Sequence, residues 1–341
     1  MAEQGYVVAV VGATGAVGRE MLLMLEDLPL PIRELKLLAS ARSKGTKIPF
    51  RGEDVVVDEL TEKSFEGVQL ALFSAGGGRS KEFAQAAVKA GAIVVDNSSA
   101  FRMDENVPLV VPEVNADALD QHQGIIANPN CSTIQMMLPL KALQDAVGIE
   151  RVIVATYQSA SGAGQSGIDE LEAQSRNYLE GKSVENKVFA KPLPFDVLPQ
   201  IGDFEPSGYT TEEEKMFYES RKILSLPELA VSATCARVPV MRGHLEAITV
   251  DLSEALTAEQ AKEIFAKFPG LALMDDAAKM EYPTAHAAVR NRDTLIGRVR
   301  VDHVLPKTLH FWCVSDNLWK GAAWNAVQIV QSLHERGLVR G

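Results

Sequence analysis

The chain has 341 residues, a formal net charge of −11, 46% hydrophobic and 23% charged residues. That length exceeds what one core comfortably supports and predicts two domains, while the acidity, with no local run of Lys and Arg, excludes binding of nucleic acid by phosphate neutralisation. No apolar stretch reaches the roughly 18 residues of a membrane span, and the start, Met1-Ala2-Glu3-Gln4-Gly5, carries no basic leader, so a cytoplasmic protein without a membrane partner is expected.

Tyr6 to Val11 is a valine-rich run, as in a parallel strand buried on both faces, and it ends directly at Gly12-Ala13-Thr14-Gly15-Ala16-Val17-Gly18. A helix from Arg19 to about Asp27 follows. Strand, glycine turn and helix N-terminus in that order make an anion site for a dinucleotide pyrophosphate, because the glycines let the backbone approach and the amides face the charge. The second strand, Leu35 to Ala39, leads to Ser40, Ala41, Arg42, Ser43 and Lys44. A site for a ribose 2′-hydroxyl places Asp or Glu there; hydroxyls and two cations suit a 2′-phosphate, so NADP is preferred to NAD. The strand Val68 to Ala75, stopping at Gly76-Gly77-Gly78, the helix Phe83 to Ala90 and the strand Ala92 to Asp96 continue the βα alternation. Asn97 to Arg102 is a polar loop on the same edge.

Gly124 to Ala127 is a further strand that stops at Asn128-Pro129-Asn130 and restarts as a helix with Cys131 in its first turn, running to about Val147. A cysteine there faces unpaired amides and the positive end of the helix dipole, which favour thiolate; the competing reading is a small buried hydrophobe. Pro139 should kink that helix or shorten it. Cys235 and Cys313 complete a set with no close pair and no metal-ligand spacing, so neither disulfides nor a metal centre are expected. Arg151 to Tyr157 is a strand leading into the glycine-rich turn Gln158 to Gly164 and a helix from Ile168 to about Leu179. Residues 187–207, with Pro192, Pro194, Pro199 and Pro206, form an irregular excursion suited to wrapping a neighbour. Thr211-Glu212-Glu213-Glu214-Lys215 opens a helix with acidic residues in its first turn. Strands at Val231 to Val238 and His244 to Leu252 have the antiparallel look of an α+β domain. A last helix, Asn317 to about Glu335, carries Leu318, Ala322, Ala326, Ile329, Val330 and Leu333 on one side and should pack on the first domain.

The stretches Asn128-Pro129-Asn130-Cys131-Ser132-Thr133, Gln158-Ser159-Ala160-Ser161-Gly162-Ala163-Gly164, and Arg237-Val238-Pro239-Val240 with His244 seven residues after Arg237 together resemble the aspartate-β-semialdehyde dehydrogenase family. The resemblance covers nearly the whole chain, the Gly12 to Gly18 turn included. It implies an α/β protein with a Rossmann-type NADP-binding domain, 1–130 completed by the helix 317–341, and an α+β catalytic and dimerisation domain, 131–316, in a homodimer. It implies NADPH-dependent conversion of L-aspartyl 4-phosphate to L-aspartate 4-semialdehyde and phosphate, in amino-acid biosynthesis from aspartate toward lysine, threonine, methionine and diaminopimelate. Carried over by position, Cys131 is the acyl-enzyme nucleophile, with Asn130 beside it in the catalytic set, and His244 the acid/base. Gln158 orients substrate and Arg237 clamps its carboxylate. Arg102 and Lys215, with Glu212, hold phosphate and substrate charge; Ser161, Gly162 and Asn317 lie near the nicotinamide, and Gly12, Thr14, Gly15, Ala16, Val17, Gly18 and Ser40 to Ser43 hold the rest of the cofactor.

Thioester chemistry suits these residue types, since a thiolate can displace phosphate before hydride arrives and histidine titrates near neutrality. N-acetylglutamyl-phosphate reductases share that logic but usually have Gly where Asn130 stands. A short-chain reductase needs Tyr and Lys four apart on a helix; Tyr178 with Lys182 encloses Gly181, and Tyr218 with Lys222 falls too late in the chain. A non-catalytic NADP-binding sensor with a redox-responsive Cys131 is the third alternative.

Overall fold

The computed structural model describes residues 5–339, which form two compact units, one reaching Asn130 and resuming at Ala322, the other Cys131–Gly321.

The first unit contains β1 (Tyr6–Val11), α1 (Ala16–Asp27), β2 (Ile32–Ala39), β3 (Lys47–Phe50), β4 (Glu53–Glu59), β5 (Leu70–Phe73), α2 (Gly77–Lys89), β6 (Ile93–Asp96), the single-turn α3 (Pro112–Asn115) and β7 (Ile125–Ala127). Its seven-stranded sheet has the order β3-β4-β2-β1-β5-β6-β7. All neighbours run parallel except β3, which pairs antiparallel with β4. Val8 to Val11 are wholly buried, as the uninterrupted apolar run requires of a strand covered on both faces. The chain leaves β1 for β2 on one side and reaches β5 on the other, so the carboxyl end of β1 is a topological switch point.

In this unit two helix starts differ from expectation. α1 begins at Ala16 rather than Arg19, and α2 begins at Gly77, inside the triple glycine, rather than at Phe83. Gly76, at φ +82, makes the turn alone, and Gly77 and Gly78 are already helical despite low intrinsic propensity.

The second unit contains α4 (Cys131–Val147), β8 (Ile149–Gln158), α5 (Gln165–Leu179), α6 (Thr211–Leu224), β9 (Ala230–Arg237), β10 (His244–Leu252), α7 (Ala258–Lys267), β11 (Leu271–Leu273), the single-turn α8 (Ala285–Ala288), β12 (Thr294–Val301) and β13 (Thr308–Ser315). The sheet order is β11-β12-β13-β10-β8-β9. β9 and β10 are therefore not a hairpin: β8 lies between them, parallel to β9 and antiparallel to β10. Pro139 neither breaks nor shortens α4. A proline has no N–H for the carbonyl four residues earlier, and here the orphaned Gln135 carbonyl accepts from the Cys313 thiol at 3.6 Å. The proline-rich excursion packs on its own unit: Phe189, Leu193 and Leu198 form a buried cluster with Ala160 and Leu171. Leu198 and Arg237 exchange main-chain hydrogen bonds of 2.9 and 2.8 Å.

The expected last helix is divided. A π-helical turn, Trp319–Ala323, precedes α9 (Trp324–Glu335), and residues 317–321 belong to the second unit because Asp316 and Asn317 are hydrogen-bonded within it. In the first unit Asn325 of α9 donates to the Val110 carbonyl at 2.9 Å and to Asn128 Oδ1 at 2.7 Å.

Candidate active site

At the switch point of the first unit, Gly12 adopts φ +84, and a Cβ there would stand 2.6 Å from the Ser74 carbonyl oxygen. A Cβ at Gly18 would stand 2.2 Å from the Gly12 oxygen. These two glycines close the turn upon itself, whereas Gly15, the N-cap of α1, receives no side-chain cap and leaves the helix amides open. Beside them lies a cleft of ≈ 530 Å³ lined by Thr14, Gly15, Ser40, Ala41 and Arg42 among others. Ser43 Oγ lies 3.4 Å from Thr14 Oγ1, and Ala16 and Val17 form the first turn of α1. The open amides fit the pyrophosphate of a dinucleotide.

Two further charges line this cleft: Glu59, at the end of β4, and Arg79, in the first turn of α2. Glu59 pairs with Lys44 at 3.8 Å and Arg79 with Glu82 at 2.9 Å. Both are distant in sequence from Ser40 to Lys44. The signal that could have revealed Arg79 is its place just after a strand end and a glycine turn.

In the second unit four strand ends meet. Gln158, last in β8, is in register with Arg237, last in β9; His244, first in β10, is in register with Ser315, last in β13. Gln158, Arg237 and His244 are all buried. Between them Gly162 is a spacer: a Cβ would lie 2.6 Å from Arg237 Nη1 and 3.1 Å from both Cε1 and Nε2 of His244. Arg237 Nη1 donates to the Ser159 carbonyl at 2.8 Å, and the guanidinium lies 5.9 Å from the Phe189 ring centre. Burial pulls that guanidinium below its ordinary pKa, with Glu212 and Cys131 acting in the opposite sense. Gln158 Nε2 donates to Glu212 Oε1 at 3.3 Å, and Lys215 Nζ donates to Glu212 Oε2 at 3.0 Å, so these three form a chain.

Asn317 Oδ1 accepts from Ser161 Oγ at 2.9 Å, from the Gly243 amide at 3.0 Å and from Ser159 Oγ at 3.2 Å. Its carbonyl is thus fixed in the protein. The adjoining Asp316 receives Arg242 through Nε at 2.9 Å to each carboxylate oxygen. Burial and then the charge of Arg237 lower the His244 pKa to about 3, and its Nε2 makes no hydrogen bond among the described residues.

Cys131 opens α4 and is half-buried, whereas burial pushes the Cys235 and Cys313 thiols up out of the reactive range. Gly321, in the π-helical turn, packs against it: a Cβ there would lie 2.9 Å from Cys131 Cβ. Asn130 and Arg102 fall in the first unit. Arg102 is buried, with Nε on the Asn128 carbonyl at 2.9 Å and Nη2 on the Asn97 carbonyl at 3.0 Å. Among the described residues no group of three or more His, Cys, Asp or Glu is placed to hold a metal, and no helix is long and apolar enough to cross a membrane.

A family model described as semialdehyde dehydrogenase, NAD binding domain, matches residues 7–122, and one described as semialdehyde dehydrogenase, dimerisation domain, matches residues 140–320. An aspartate-semialdehyde dehydrogenase of Bacillus subtilis is 48% identical, covering 98% of this chain and 99% of its own. The chain belongs to the aspartate-semialdehyde dehydrogenase family. It is thus an oxidoreductase that acts on an aldehyde or oxo group with a pyridine nucleotide, and its second half carries that family's dimerisation domain. Among solved structures, aspartate semialdehyde dehydrogenase II of Vibrio cholerae matches with a TM-score of 0.95 at 46% identity over 97% of this chain and 99% of its own. The same enzyme complexed with ASA matches with a TM-score of 0.95 at 45% identity, with 97% and 99% covered. The Candida albicans enzyme with NADP matches with a TM-score of 0.79 at 25% identity over 98% and 100%. These relatives favour this family over N-acetylglutamyl-phosphate reductases and over a non-catalytic sensor.

Proposed function

We propose that the chain reduces L-aspartyl 4-phosphate to L-aspartate 4-semialdehyde and phosphate through a thioester on Cys131, with NADP(H) as cofactor, as a cytoplasmic homodimer. The observation that carries this reading is the meeting of Gln158, Arg237, Gly162 and His244 in the unit that Cys131 opens. Cys131 Sγ attacks the acyl carbonyl, the carbon–oxygen bond to phosphate breaks, and phosphate leaves with the electron pair. Held at the Gly12 to Gly18 turn, NADPH would supply a hydride for the thioester carbon; breaking of the carbon–sulfur bond then gives aldehyde and regenerates the Cys131 thiolate. Arg237 forks onto the substrate carboxylate, a geometry an ammonium cannot copy. Gln158, held by Glu212, orients the acyl group. Lys215 and Arg102 are the cations the family resemblance assigns to phosphate. The hydroxyls and Arg42 beside the Gly15 amides support NADP over NAD. The family resemblance assigns Asn317 to the nicotinamide end of the cofactor, where, its oxygen being already engaged, it would act through its amide nitrogen.

The test is NADP reduction by the purified protein with aspartate semialdehyde, with and without phosphate, followed by acid quenching to count acyl groups. Phosphate-dependent reduction with one acyl group per chain is expected; reduction that ignores phosphate refutes the reading.

A further inference from the structure

Asp316 takes no part in the reaction assigned above, yet it joins segments of the second unit that lie far apart in the chain. It is wholly buried, and a buried carboxylate is tolerated only when its oxygens are paired. Besides the two bonds from Arg242 Nε, Arg242 Nη2 lies 2.8 Å from Oδ2, which also accepts from the Arg290 amide at 2.7 Å. Arg290 sits at φ +58, a conformation that costs a non-glycine residue and that this bond helps to hold. Oδ1 accepts from the amides of Leu318 at 3.0 Å and Trp319 at 3.3 Å. The Asp316 carbonyl accepts from the amides of Trp319 and Gly321, each at 3.1 Å. The bond from Gly321 reaches back one residue further than an α-helical bond, which is the spacing of the π-helical turn it leads into.

These partners lead to both reacting side chains. Arg242 precedes Gly243 and His244, and the Gly243 amide donates to Asn317, so residues 316 and 317 grip residues 242 and 243 as a pair. The Gly243 main chain in turn bonds the His244 ring. Ser159 Oγ lies 3.2 Å from Asn317 Oδ1 and 3.0 Å from His244 Nδ1, and the Ser159 amide lies 3.1 Å from the same nitrogen. Beyond Asn317, Gly321 lies against Cys131, where a Cβ would fall 2.9 Å from Cys131 Cβ and 3.3 Å from its Cα. One carboxylate therefore anchors the turn behind the nucleophile and the loop before the acid/base.

We propose that Asp316 is a positioning residue for hydride transfer, setting the span between Asn317 and the Cys131 acyl group by holding the turn that carries Asn317 and Gly321. The proposal rests on the reaction assigned above. Sulfur attack needs Cys131 and a substrate held by Arg237, which is fixed on the Ser159 carbonyl and by the register of β8 with β9. Reduction needs, in addition, the acyl carbon on Cys131 to meet the nicotinamide end that the family resemblance assigns to Asn317. Reacting atoms must come within roughly 3–3.5 Å, and a misplacement of about 1 Å can cost on the order of 10²-fold. Asp316 touches neither reactant, so its loss is felt as misplacement, and in the reduction more than in the attack.

Asp316→Asn keeps the volume and one acceptor but turns an amide NH₂ toward the Arg242 and Arg290 donors. Its kcat for reduction of aspartyl phosphate should fall on the order of 10²-fold. The isotope effect on kcat with NADPH deuterated at C4 should exceed that of wild type, whereas phosphate release in a single turnover without NADPH should keep near the wild-type rate. With no cofactor present, iodoacetamide should alkylate Cys131 faster than in wild type across the thiol titration, at a temperature well below the melt of the variant. A variant that is merely less stable would show wild-type alkylation and a wild-type isotope effect, and that result overturns the proposal. A loss of phosphate release as large as the loss of reduction overturns it too. Gly321→Ala displaces Cys131 from the other side without backbone strain and should likewise raise the isotope effect. If Asp316→Asn does not fold, a wild-type isotope effect in Gly321→Ala overturns the proposal. If wild type shows no phosphate-dependent NADP reduction, the proposed function fails, while alkylation still measures the hold of the turn on Cys131.

Discussion

Gly162→Ala tests the arrangement of the second unit with the addition of one methyl group. Gly162 does not occupy the left-handed region, so alanine brings no backbone strain. Its Cβ would nevertheless fall 2.6 Å from Arg237 Nη1, so the guanidinium must retreat by roughly 0.8 Å to reach an ordinary contact. That retreat stretches the 2.8 Å bond from Nη1 to the Ser159 carbonyl beyond hydrogen-bonding range and turns the fork away from the substrate carboxylate. A hydrogen bond to a charged group contributes about 1.5–3 kcal/mol. At 1.36 kcal/mol per decade, kcat/KM for the semialdehyde should fall about 12- to 160-fold. The assay is initial-rate NADP reduction with semialdehyde and phosphate varied independently, beside a thermal melt that confirms folding. The loss should appear in KM for the semialdehyde and leave KM for phosphate nearly unchanged. A variant within twofold of wild type in kcat/KM, or one whose phosphate KM rises most, would refute the assignment of Arg237.

Cys131→Ala should lose more than about 10⁴-fold of turnover, exceeding the roughly 10²–10⁴-fold contribution of one general acid–base group, while still binding NADPH in a fluorescence titration. Arg42→Ala should lower kcat/KM for NADP more than for NAD, measured side by side; an equal fall would release Arg42 from the 2′-phosphate. Arg237→Lys keeps the charge but loses the fork, and should raise the semialdehyde KM by an amount corresponding to about 1.5–3 kcal/mol. Glu246 is wholly buried beside His244 on the inner face of β10, and burial raises its carboxyl well above the ordinary range. The folded state thus holds a proton that the unfolded state releases, so stability falls as pH rises above about 4.3. Glu246→Gln should therefore raise Tm at pH 8 and change it little at pH 4; a pH-independent difference would refute that account.

The first unit was legible because its signals are local. A buried run, a glycine turn and a helix follow one another within Tyr6 to Asp27 and need no partner to be recognised. The helix starts at Ala16 and Gly77 were missed for the same reason: glycine discourages a helix locally, and only packing, such as Gly18 against the Gly12 carbonyl, shows why it is there. In the second unit β12 concealed itself. Its pairing with β13 shifts register between Gly297 and Arg300, Arg298 adopts φ +56, and Gly297 is pressed against the Met274 carbonyl. A bulge of this kind breaks the alternation by which a strand is recognised. The motif residues of the site stood out through the family resemblance. The parts played by Ser159 and Arg79 depend on neighbours 85 residues away at His244 and on a cleft shared with Ser40, which no single stretch displays.

The register of the second sheet is what brings the site into being, and a hydrophobic pattern sets that register. β8 and β9 run parallel, so their last residues, Gln158 and Arg237, fall side by side. β10 runs against β8, which brings its first residue to the same edge, and β13 runs against β10, which brings Ser315 and then Asp316 and Asn317 there. Along β10 buried and half-buried residues alternate without a break, placing His244, Glu246, Ile248, Val250 and Leu252 on one face. A slip of one residue would move Ile248, Val250 and Leu252 together to the half-buried face, each losing part of the roughly 1.5–3 kcal/mol that full burial of an apolar side chain contributes. It would also take His244 off the inner face. The apolar end of the strand thus holds the polar end in place, and the burial that makes His244 and Glu246 unfavourable as ions is the burial that keeps both on the inner face.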